Sequence, residues 1–161
     1  MKPKFRIGYG YDVHRLAENE ELWIGGILVP HEKGAVGHSD ADVLIHVICD
    51  ALLGAANMRD IGFHFSDQDP KYKGIDSKIL LENVMVLIRE AGYEIGNIDA
   101  TICLQRPKLL PHIEEMKSTL ARVMKIDAED VSVKATTTEK LGFVGTEEGI
   151  SAHAVALIYR P

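Results

Sequence analysis

Asp12, His14 and His46 are the residues whose types best fit a metal site. Asp12 and His14 stand two positions apart in a segment that predicts a strand, so both side chains leave the same strand face. His46 lies in a long apolar run, where an unpartnered imidazole is costly to desolvate. Two imidazoles and a carboxylate leave one tetrahedral position open, as in catalytic zinc sites. The spacing predicts a divalent metal, zinc, but a hydrogen-bonded core histidine fits His46 equally well.

A metal-bound histidine requires a partner for its second ring nitrogen. Asp42 and Asp50 stand four residues before and after His46, on the same face of the predicted helix. Either carboxylate could hold that nitrogen. The other histidines that we interpret as structural or surface residues are His31, His112 and His153.

Charge and composition exclude several classes of protein. The formal net charge is −6, and the lysines and arginines are scattered, which argues against a nucleic-acid partner. No apolar run is long enough to span a bilayer, and the N-terminus lacks the apolar stretch of a signal peptide. Cys49 and Cys103 form no C-x-x-C pair, so we expect buried thiols in a reducing cytoplasm. A phosphate ligand would need local positive potential from metals or backbone N–H groups.

The elements that must position these residues follow from apolar periodicity. Strands are predicted over 5–11, 22–29, 98–104, 131–135 and 151–159, with the glycines in the first two interrupting them; helices are predicted over 39–54, 76–92 and 111–125. This order favours one α+β domain, 1–161, built as a two-layer sandwich with helices on one face of a mixed sheet. The uncovered sheet face would be covered in a homo-oligomer that packs sheet faces together.

Polar segments between these elements could bind an anion. The loop 57–74 has no periodicity, and long ordered loops are often functional, although a solvated acidic loop fits as well; His64 within it stays ambiguous. Ser39 with Asp42, and Thr136 with Glu139, each fit a capping box at a helix start. The hydroxyls and free N–H groups there could hold a phosphate. A plain strand–helix junction is the commoner meaning of T-x-x-E.

Four segments together resemble a known family. They are Gly10-Tyr11-Asp12-Val13-His14, HSDADVLIH at 38–46, DIGFHFSDQD at 60–69 and KATTTEKLGF at 134–143. In this order and spacing the chain closely resembles the 2-C-methyl-D-erythritol 2,4-cyclodiphosphate synthases of the non-mevalonate isoprenoid pathway. The resemblance covers almost the whole length, including LQRPKLLPHI at 104–113.

The resemblance implies a homotrimer with three active sites between neighbouring subunits. The implied substrate is 4-diphosphocytidyl-2-C-methyl-D-erythritol 2-phosphate. Its 2-phosphate attacks the β-phosphate, CMP leaves, and 2-C-methyl-D-erythritol 2,4-cyclodiphosphate forms. The chain would be a metal-dependent phosphorus–oxygen lyase, with no nucleic-acid or membrane partner.

The resemblance also implies roles for individual residues. Asp12, His14 and His46 would bind zinc, and Glu139 would bind magnesium or manganese. His38 and Thr137 would stabilise the transition state, and Ser39 would contact phosphate together with His38. The residues implied to face the methylerythritol phosphate are Asp60, Ile61, Gly62, Phe65, Ser66, Asp67, Gln68 and Asp69. Those implied to hold the cytidine are Leu104, Gln105, Arg106, Pro107, Lys108, Leu109, Leu110, Ala135, Thr136 and Thr137, and the implied substrate-binding set is completed by Thr138 and Phe143.

The chemistry and three departures refine this reading. Phosphoryl transfer requires placement and charge neutralisation more than a protein nucleophile. Ser66 replaces a proline and Gln68 a threonine common in the family, which predicts a more mobile loop. Thr146 replaces an arginine that the family associates with an isoprenoid diphosphate on the trimer axis, so that ligand is not implied here. A non-catalytic trimeric binder of nucleotide or isoprenoid diphosphate, and a zinc phosphoesterase, remain the competing hypotheses.

Overall fold

The computed structural model describes residues 4–161. The strands are β1 (Phe5–Glu18), β2 (Trp23–Ile24), β3 (Ile27–Leu28), β4 (Lys33–Val36), β5 (Glu94–Cys103), β6 (Val131–Thr136) and β7 (Gly149–Tyr159). The α-helices are α1 (Val43–Ala55), α2 (Ile61–His64), α3 (Ser77–Glu90), α4 (Ile113–Met124) and α5 (Gly142–Gly145). Single 3₁₀ turns cover Pro70–Tyr72, Leu110–His112 and Ala128–Asp130.

The main sheet has the strand order β4-β1-β7-β5-β6 and is mixed. The pairs β1–β4, β1–β7 and β5–β7 are antiparallel, whereas β5–β6 is parallel. Strands β2 and β3 form a separate small ribbon, as predicted for a segment broken at Gly25-Gly26. The predicted α+β class with a mixed sheet is confirmed.

The two faces of the sheet differ in exposure. The helices lie on one face, where the apolar α1 is buried on nearly every side and packs on β1 and β7. The opposite face of β1 exposes a row of large apolar side chains at alternate positions: Phe5, Ile7, Tyr9, Tyr11 and Val13. The arrangement confirms the predicted helices on one face, and it leaves an apolar sheet face without cover within the described chain.

Two glycines let β1 and α1 approach closely. A Cβ atom at Gly8 would lie 1.9 Å from the carbonyl oxygen of Ala51, and one at Gly10 would lie 2.1 Å from that of Val47. The prediction that these glycines interrupt the strand is therefore wrong, because β1 continues through them to Glu18. The glycines remove side chains where backbone meets backbone.

The predicted cap of α1 at Ser39 is also wrong. The helix begins at Val43, and Asp42 is its N-cap, accepting from the Ile45 N–H at 3.0 Å. The same buried carboxylate accepts from the N–H groups of Gly25 at 2.9 Å and Gly26 at 2.7 Å. A carboxylate thus already caps this helix terminus, so the Ile45 N–H there is not free to bind a phosphate.

The predicted Thr136–Glu139 capping box is absent too. Helix α5 begins only at Gly142, with Leu141 as an N-cap that makes no side-chain bond. Instead, the Thr137 hydroxyl accepts from the Glu139 N–H at 3.2 Å, inside a turn in which Glu139 has a φ of +54°. These threonines shape a turn and do not start a helix.

The remaining helical predictions agree with the structure. Asp76 caps α3, Pro111 lies in the 3₁₀ turn that leads into α4, and Lys125 ends α4 in the left-handed conformation. The long loop 57–74 contains the short helix α2 and one 3₁₀ turn. Within it, His64 contacts the Met58 carbonyl oxygen through Nε2 at 2.8 Å, a structural role.

Candidate metal centre and active site

Asp12, His14 and His46 converge as predicted. The Asp12 Oδ2 atom lies 2.8 Å from His14 Nε2 and 3.1 Å from His46 Nδ1. The two ring nitrogens are 3.2 Å apart. Donor atoms bound to a tetrahedral zinc at ~2.0–2.1 Å lie roughly 3.3 Å from one another, close to the edges of this triangle. The three donors therefore fit a divalent metal with one coordination position left for another ligand.

The neighbouring side chains of this cluster shift the pKa values of Asp12 and His14. Although burial raises the pKa of Asp12, hydrogen bonds and charge from His14 and His46 outweigh it and hold the pKa far below its usual range. Burial lowers the pKa of His14, but the Asp12 carboxylate and the Val36 carbonyl raise it above its usual value overall. Asp12 is thus a carboxylate at neutral pH, the form that binds metal.

The second ring nitrogens have partners other than those predicted. His14 Nδ1 lies 3.2 Å from the Val36 carbonyl oxygen. His46 Nε2 lies 3.0 Å from Ser77 Oγ and 3.1 Å from Ser39 Oγ. The prediction that Asp42 or Asp50 holds this nitrogen is wrong, because Asp42 caps α1 and Asp50 accepts from the Ile61 N–H at 2.9 Å. Ser77 was missed, since its position after the helix cap Asp76 gives it an ordinary structural reading.

A cavity of about 440 Å³, the metal-side cavity, is lined by the metal triad and its neighbours. Among the predicted residues, those that line it are Asp12, His14, His38, Ser39, His46, Asp60, Ile61, Gly62, Phe65 and Asp67. The lining residues for which no place in this cavity was predicted are Gly37, Asp50, Tyr72, Ile75 and Leu80. Sequence periodicity makes Leu80 a core residue and leaves Tyr72 as a loop aromatic, so neither carried a functional signal.

The loop on one side of this cavity is held by its own polar groups. Asp60 caps α2 through the Phe63 N–H at 3.0 Å. His38 Nε2 lies 3.1 Å from the Asp69 carbonyl oxygen. The side chains of the predicted residues Ser66, Gln68 and Asp69 lie outside the cavity lining, and the Ser66 hydroxyl and Asp69 carboxylate accept backbone N–H groups. They shape the loop in this conformation.

A second cavity, of about 480 Å³, lies between the end of β6 and the segment after β5. The predicted residues that line it are Leu104, Gln105, Pro107, Lys108, Leu109, Leu110, Ala135, Thr136 and Thr137; the unpredicted ones are Ile113, Val133 and Lys134. Arg106 instead reaches Glu32 and Glu147, each at 2.8 Å. Within residues 4–161, the two cavities share no lining residue, so His38 and Thr137 line different cavities.

Four further residues singled out in the sequence lie outside both cavities. Phe143 lines a depression of about 230 Å³ that also includes His14. Thr138 donates from its hydroxyl to the Leu141 carbonyl at 2.7 Å, and Glu139 is exposed. Thr146 is exposed and donates to Glu148 Oε2 at 2.9 Å. None of them forms a side-chain hydrogen bond to the metal triad in the described chain.

Residues 5–159 match the YgbB family. The chain is also 68% identical over 157 residues to the 2-C-methyl-D-erythritol 2,4-cyclodiphosphate synthase of Parabacteroides distasonis, covering 98% of each chain. The chain belongs to the YgbB family of cyclodiphosphate synthases. The synthase of Bacteroides fragilis is 67% identical over 98% of this chain and 99% of its own, and that of Cytophaga hutchinsonii is 59% identical over the same shares.

Solved structures of YgbB proteins share the fold. A CDP-bound 2C-methyl-D-erythritol-2,4-cyclodiphosphate synthase has a TM-score of 0.88 at 37% identity, covering 95% of this chain and 99% of that one. The CDP complex of IspF from Plasmodium falciparum has a TM-score of 0.86 at 34% identity, covering 99% of each chain. The bifunctional IspDF of Campylobacter jejuni has a TM-score of 0.94 at 39% identity. The match covers 98% of this chain and 42% of that one.

Two further observations concern the helices and the cysteines of this YgbB chain. Among residues 4–161, no helix combines the length and apolarity needed to cross a membrane. Both cysteines are free thiols; Cys49 is buried, as predicted, and Cys103 is half-buried. Burial raises the pKa of the Cys49 thiol well above its usual value, so this side chain is an unreactive core residue.

Proposed function

We propose that this chain converts 4-diphosphocytidyl-2-C-methyl-D-erythritol 2-phosphate to 2-C-methyl-D-erythritol 2,4-cyclodiphosphate and CMP, in the non-mevalonate isoprenoid pathway. The observation that carries the proposal is the converging triad Asp12, His14 and His46, which lines a cavity in a YgbB chain 68% identical to a 2-C-methyl-D-erythritol 2,4-cyclodiphosphate synthase. An oxygen of the 2-phosphate bonds to the β-phosphorus, and the bond from that phosphorus to the bridging oxygen breaks. CMP leaves with the bridging oxygen.

The metal assignment follows from the donor set. Asp12, His14 and His46 would hold zinc, because imidazole suits zinc and the carboxylate is already ionised. Glu139, exposed in a turn, would hold magnesium or manganese, for which carboxylate is a suitable ligand. When bound, the two cations supply the positive charge that a protein of net charge −6 otherwise lacks.

The chain's own groups would orient the substrate. His38 and Ser39 line the metal-side cavity, where an imidazole and a hydroxyl can donate to phosphate oxygens. The loop residues Asp60, Ile61 and Gly62 border the same space and would receive the methylerythritol phosphate. In-line placement of the two phosphates supplies the rate gain, because the substrate carries its own nucleophile.

The nucleotide end of the substrate would occupy the second cavity, which we name the nucleotide-side cavity. Its apolar lining by Leu104, Leu109 and Val133 suits a pyrimidine ring, and Lys108 supplies a positive charge for phosphate. The predicted binding residues of the segment 66–69, together with Arg106, Thr138 and Phe143, would adjust to contact the substrate when it binds. Thr137, at the rim of this cavity, would stabilise the charge that develops during transfer.

Because His38 and Thr137 line different cavities of one chain, we propose a homotrimer in which each active site combines cavities of two subunits. The exposed apolar row Ile7, Tyr9 and Tyr11 on the open sheet face supports such assembly, since contiguous apolar surface of this kind marks an interface. The free thiols fit a reducing cytoplasm, which we propose as the location. Residues 1–161 would act as one synthase domain.

Incubation with the purified CDP-linked substrate tests the activity. We expect equal amounts of CMP and cyclic diphosphate, detected by ³¹P NMR. Release of inorganic phosphate would instead indicate a zinc phosphoesterase, and an absence of turnover with tight CDP binding would indicate a non-catalytic binder. The family membership favours the first outcome over both alternatives.

Metal analysis of variants tests the two ion sites separately. His14→Ala and His46→Ala are expected to lose zinc, because each removes one of three ligands. Glu139→Gln is expected to retain zinc but lose the magnesium-dependent turnover. Zinc retained at the wild-type level in both histidine variants would refute the ligand set, and full activity of Glu139→Gln would refute its role.

Complementation tests the shared active site. His46→Ala destroys the metal-side cavity and Thr137→Ala the nucleotide-side cavity, so each variant alone is expected to be inactive. Mixed trimers produced by joint refolding would contain some sites with both halves intact and would regain part of the activity. Activity that stays absent in the mixture, with mixed trimers verified by mass spectrometry, would contradict sites built from two chains.

A further inference from the structure

Ser77 lies between the metal ligand His46 and the carboxylate of Asp40. It is the first residue of α3 and has no exposed surface. Its hydroxyl donates to Asp40 Oδ1, and its backbone N–H donates to Asp40 Oδ2 at 2.9 Å. On its other side, Ser77 Oγ lies 3.0 Å from His46 Nε2. A continuous chain of polar groups thus runs from Asp40 through Ser77 to the ring whose other nitrogen faces the metal centre.

The protons available to Asp40, Ser77 and His46 determine which group donates in each of these hydrogen bonds. A carboxylate only accepts hydrogen bonds, and a serine hydroxyl has a single proton to donate. Because Asp40 takes that proton, Ser77 can only accept from His46. His46 must then carry a proton on Nε2, so Nδ1, which faces the Asp12 carboxylate, is the nitrogen whose proton a cation would replace. Nδ1 is the atom that lies 3.1 Å from Asp12 Oδ2 and 3.2 Å from His14 Nε2.

We infer that Ser77, oriented by Asp40, is a positioning residue that fixes His46 in the Nε2–H tautomer and presents Nδ1 to the zinc. The inference rests on the zinc site of the proposed function and extends it to two residues outside the ligand set. Partners of this kind orient metal-bound histidines and raise their basicity, and their loss typically weakens metal affinity 10- to 100-fold.

Ser39 does not account for the same effect. Its hydroxyl lies 3.1 Å from His46 Nε2 and accepts from the Ala41 N–H at 3.2 Å, but no carboxylate takes its proton in the described chain. The Ser39 hydroxyl can therefore rotate to donate or to accept, and it does not specify a tautomer. Of the two hydroxyls that contact His46 in the described chain, that of Ser77 alone has its donor direction fixed by a carboxylate partner.

Zinc competition with a chromophoric chelator tests the inference on the full-length protein. Ser77→Ala is expected to bind zinc roughly 10- to 100-fold more weakly than the wild type. Ser77→Thr keeps the hydroxyl and is expected to recover most of that affinity. Ser118→Ala, on the exposed side of α4, is the matched control and is expected to leave zinc affinity unchanged. Wild-type affinity in Ser77→Ala would overturn the inference.

A second measurement needs neither zinc nor a substituted protein. In the zinc-free wild type, long-range ¹H–¹⁵N correlation spectra report which ring nitrogens of His46 carry a proton. We expect a proton on Nε2 of His46, and a shift toward a proton on Nδ1 alone in Asp40→Asn, whose amide can donate to Ser77. A wild-type His46 protonated on Nδ1 alone overturns the inference, even if Ser77→Ala does not fold.

The two arms also separate this inference from the proposed function. If the wild type binds no zinc, the metal assignment fails, while the tautomer measurement still decides the role of Ser77. If the wild type binds zinc and releases CMP but Ser77→Ala matches it in affinity, the proposed function stands and the inference fails.

Discussion

The Asp50 carboxylate accepts a hydrogen bond from the backbone N–H of Ile61 at 2.9 Å and so ties the buried helix α1 to the start of α2. Both residues line the metal-side cavity. Asp50 stands one helical turn after His46, so the same helix holds a metal ligand and the loop that borders the substrate space. This contact gives Asp50 a role that its predicted pairing with His46 did not include.

We expect Asp50→Asn to stabilise the metal-free protein. Burial, together with the charges of Asp60 and Asp12, raises the pKa of Asp50, so the folded state holds its proton to a higher pH than the unfolded chain does. The charged form of Asp50 therefore opposes folding. The gain in free energy of unfolding of Asp50→Asn over the wild type should grow as pH rises from about 4 to the raised pKa and stay constant above it. Urea unfolding from pH 4 to 8 measures the difference.

Asp50→Ala serves as the companion variant, because it removes the acceptor as well as the charge. Here the Ile61 N–H loses its partner, and we expect faster hydrogen exchange at residues 61–64 than in Asp50→Asn. Equal exchange in both variants would show that the hydrogen bond does not hold the loop.

Gly10→Ala should disturb the metal centre from a distance. The new methyl group would press against the Val47 backbone and force β1 away from α1, at a cost of about 1–3 kcal/mol. Because Asp12 and His14 follow on the same strand face, zinc affinity should fall as well. Chemical denaturation and zinc competition measure the two effects.

Gly54→Ala is the matched control for that substitution. A Cβ atom at this exposed position of α1 meets no atom within 4 Å. Alanine there should raise the free energy of unfolding by about 0.5–1 kcal/mol and leave zinc affinity unchanged. Similar behaviour of the two alanine variants would argue against the close strand–helix approach.

The pH dependence of the zinc-free protein should reflect the ligand cluster. Asp12, with a lowered pKa, contributes stability above its usual value of 3.8, and that contribution is lost as pH falls through the lowered pKa. His14, with a raised pKa, contributes below its usual value of 6.5, and that contribution is lost as pH rises through the raised pKa. With a chelator present, Asp12→Asn should therefore lower the free energy of unfolding, relative to the wild type, by more at pH 5.5 than at pH 9. The reverse order would contradict the coupling.

Arg106→Ala should affect nucleotide binding more than stability. The ion pairs of Arg106 with Glu32 and Glu147 are exposed, and such pairs contribute only about 0–1 kcal/mol. They nevertheless hold the segment that lines the nucleotide-side cavity. We expect a several-fold higher KM for the CDP-linked substrate with little change in kcat, and no change for the control Arg122→Ala on α4. An unchanged KM in Arg106→Ala would show that these pairs do not position the segment.

Local patterns predicted much of this molecule because they act through short-range physics. Alternating apolar residues predicted β5 and β7, and the cap at Asp76 predicted the start of α3. The ligands Asp12 and His14 share a face because a strand has a period of two. The family resemblance, by contrast, was needed to turn these ligands into a proposed reaction.

The errors arose where tertiary contacts decide between local alternatives. Gly8 and Gly10 look like strand breaks until the backbone of α1 is placed against them. Ser39 and Asp42 both suit a helix cap, and the N–H groups of the distant Gly25 and Gly26 select Asp42. The partner of His46 belongs to α3, which no spacing along α1 could indicate.

The close approach at Gly8 and Gly10 also has a mechanical meaning. On one face of β1, positions 8 and 10 carry no side chain where the strand meets α1, whereas positions 12 and 14 carry metal ligands. A cation bound by Asp12 and His14 of β1 and by His46 of α1 would therefore cross-link the strand to the helix. Bound metal should raise the temperature at which the two elements separate, so thermal unfolding should report the occupancy of the site.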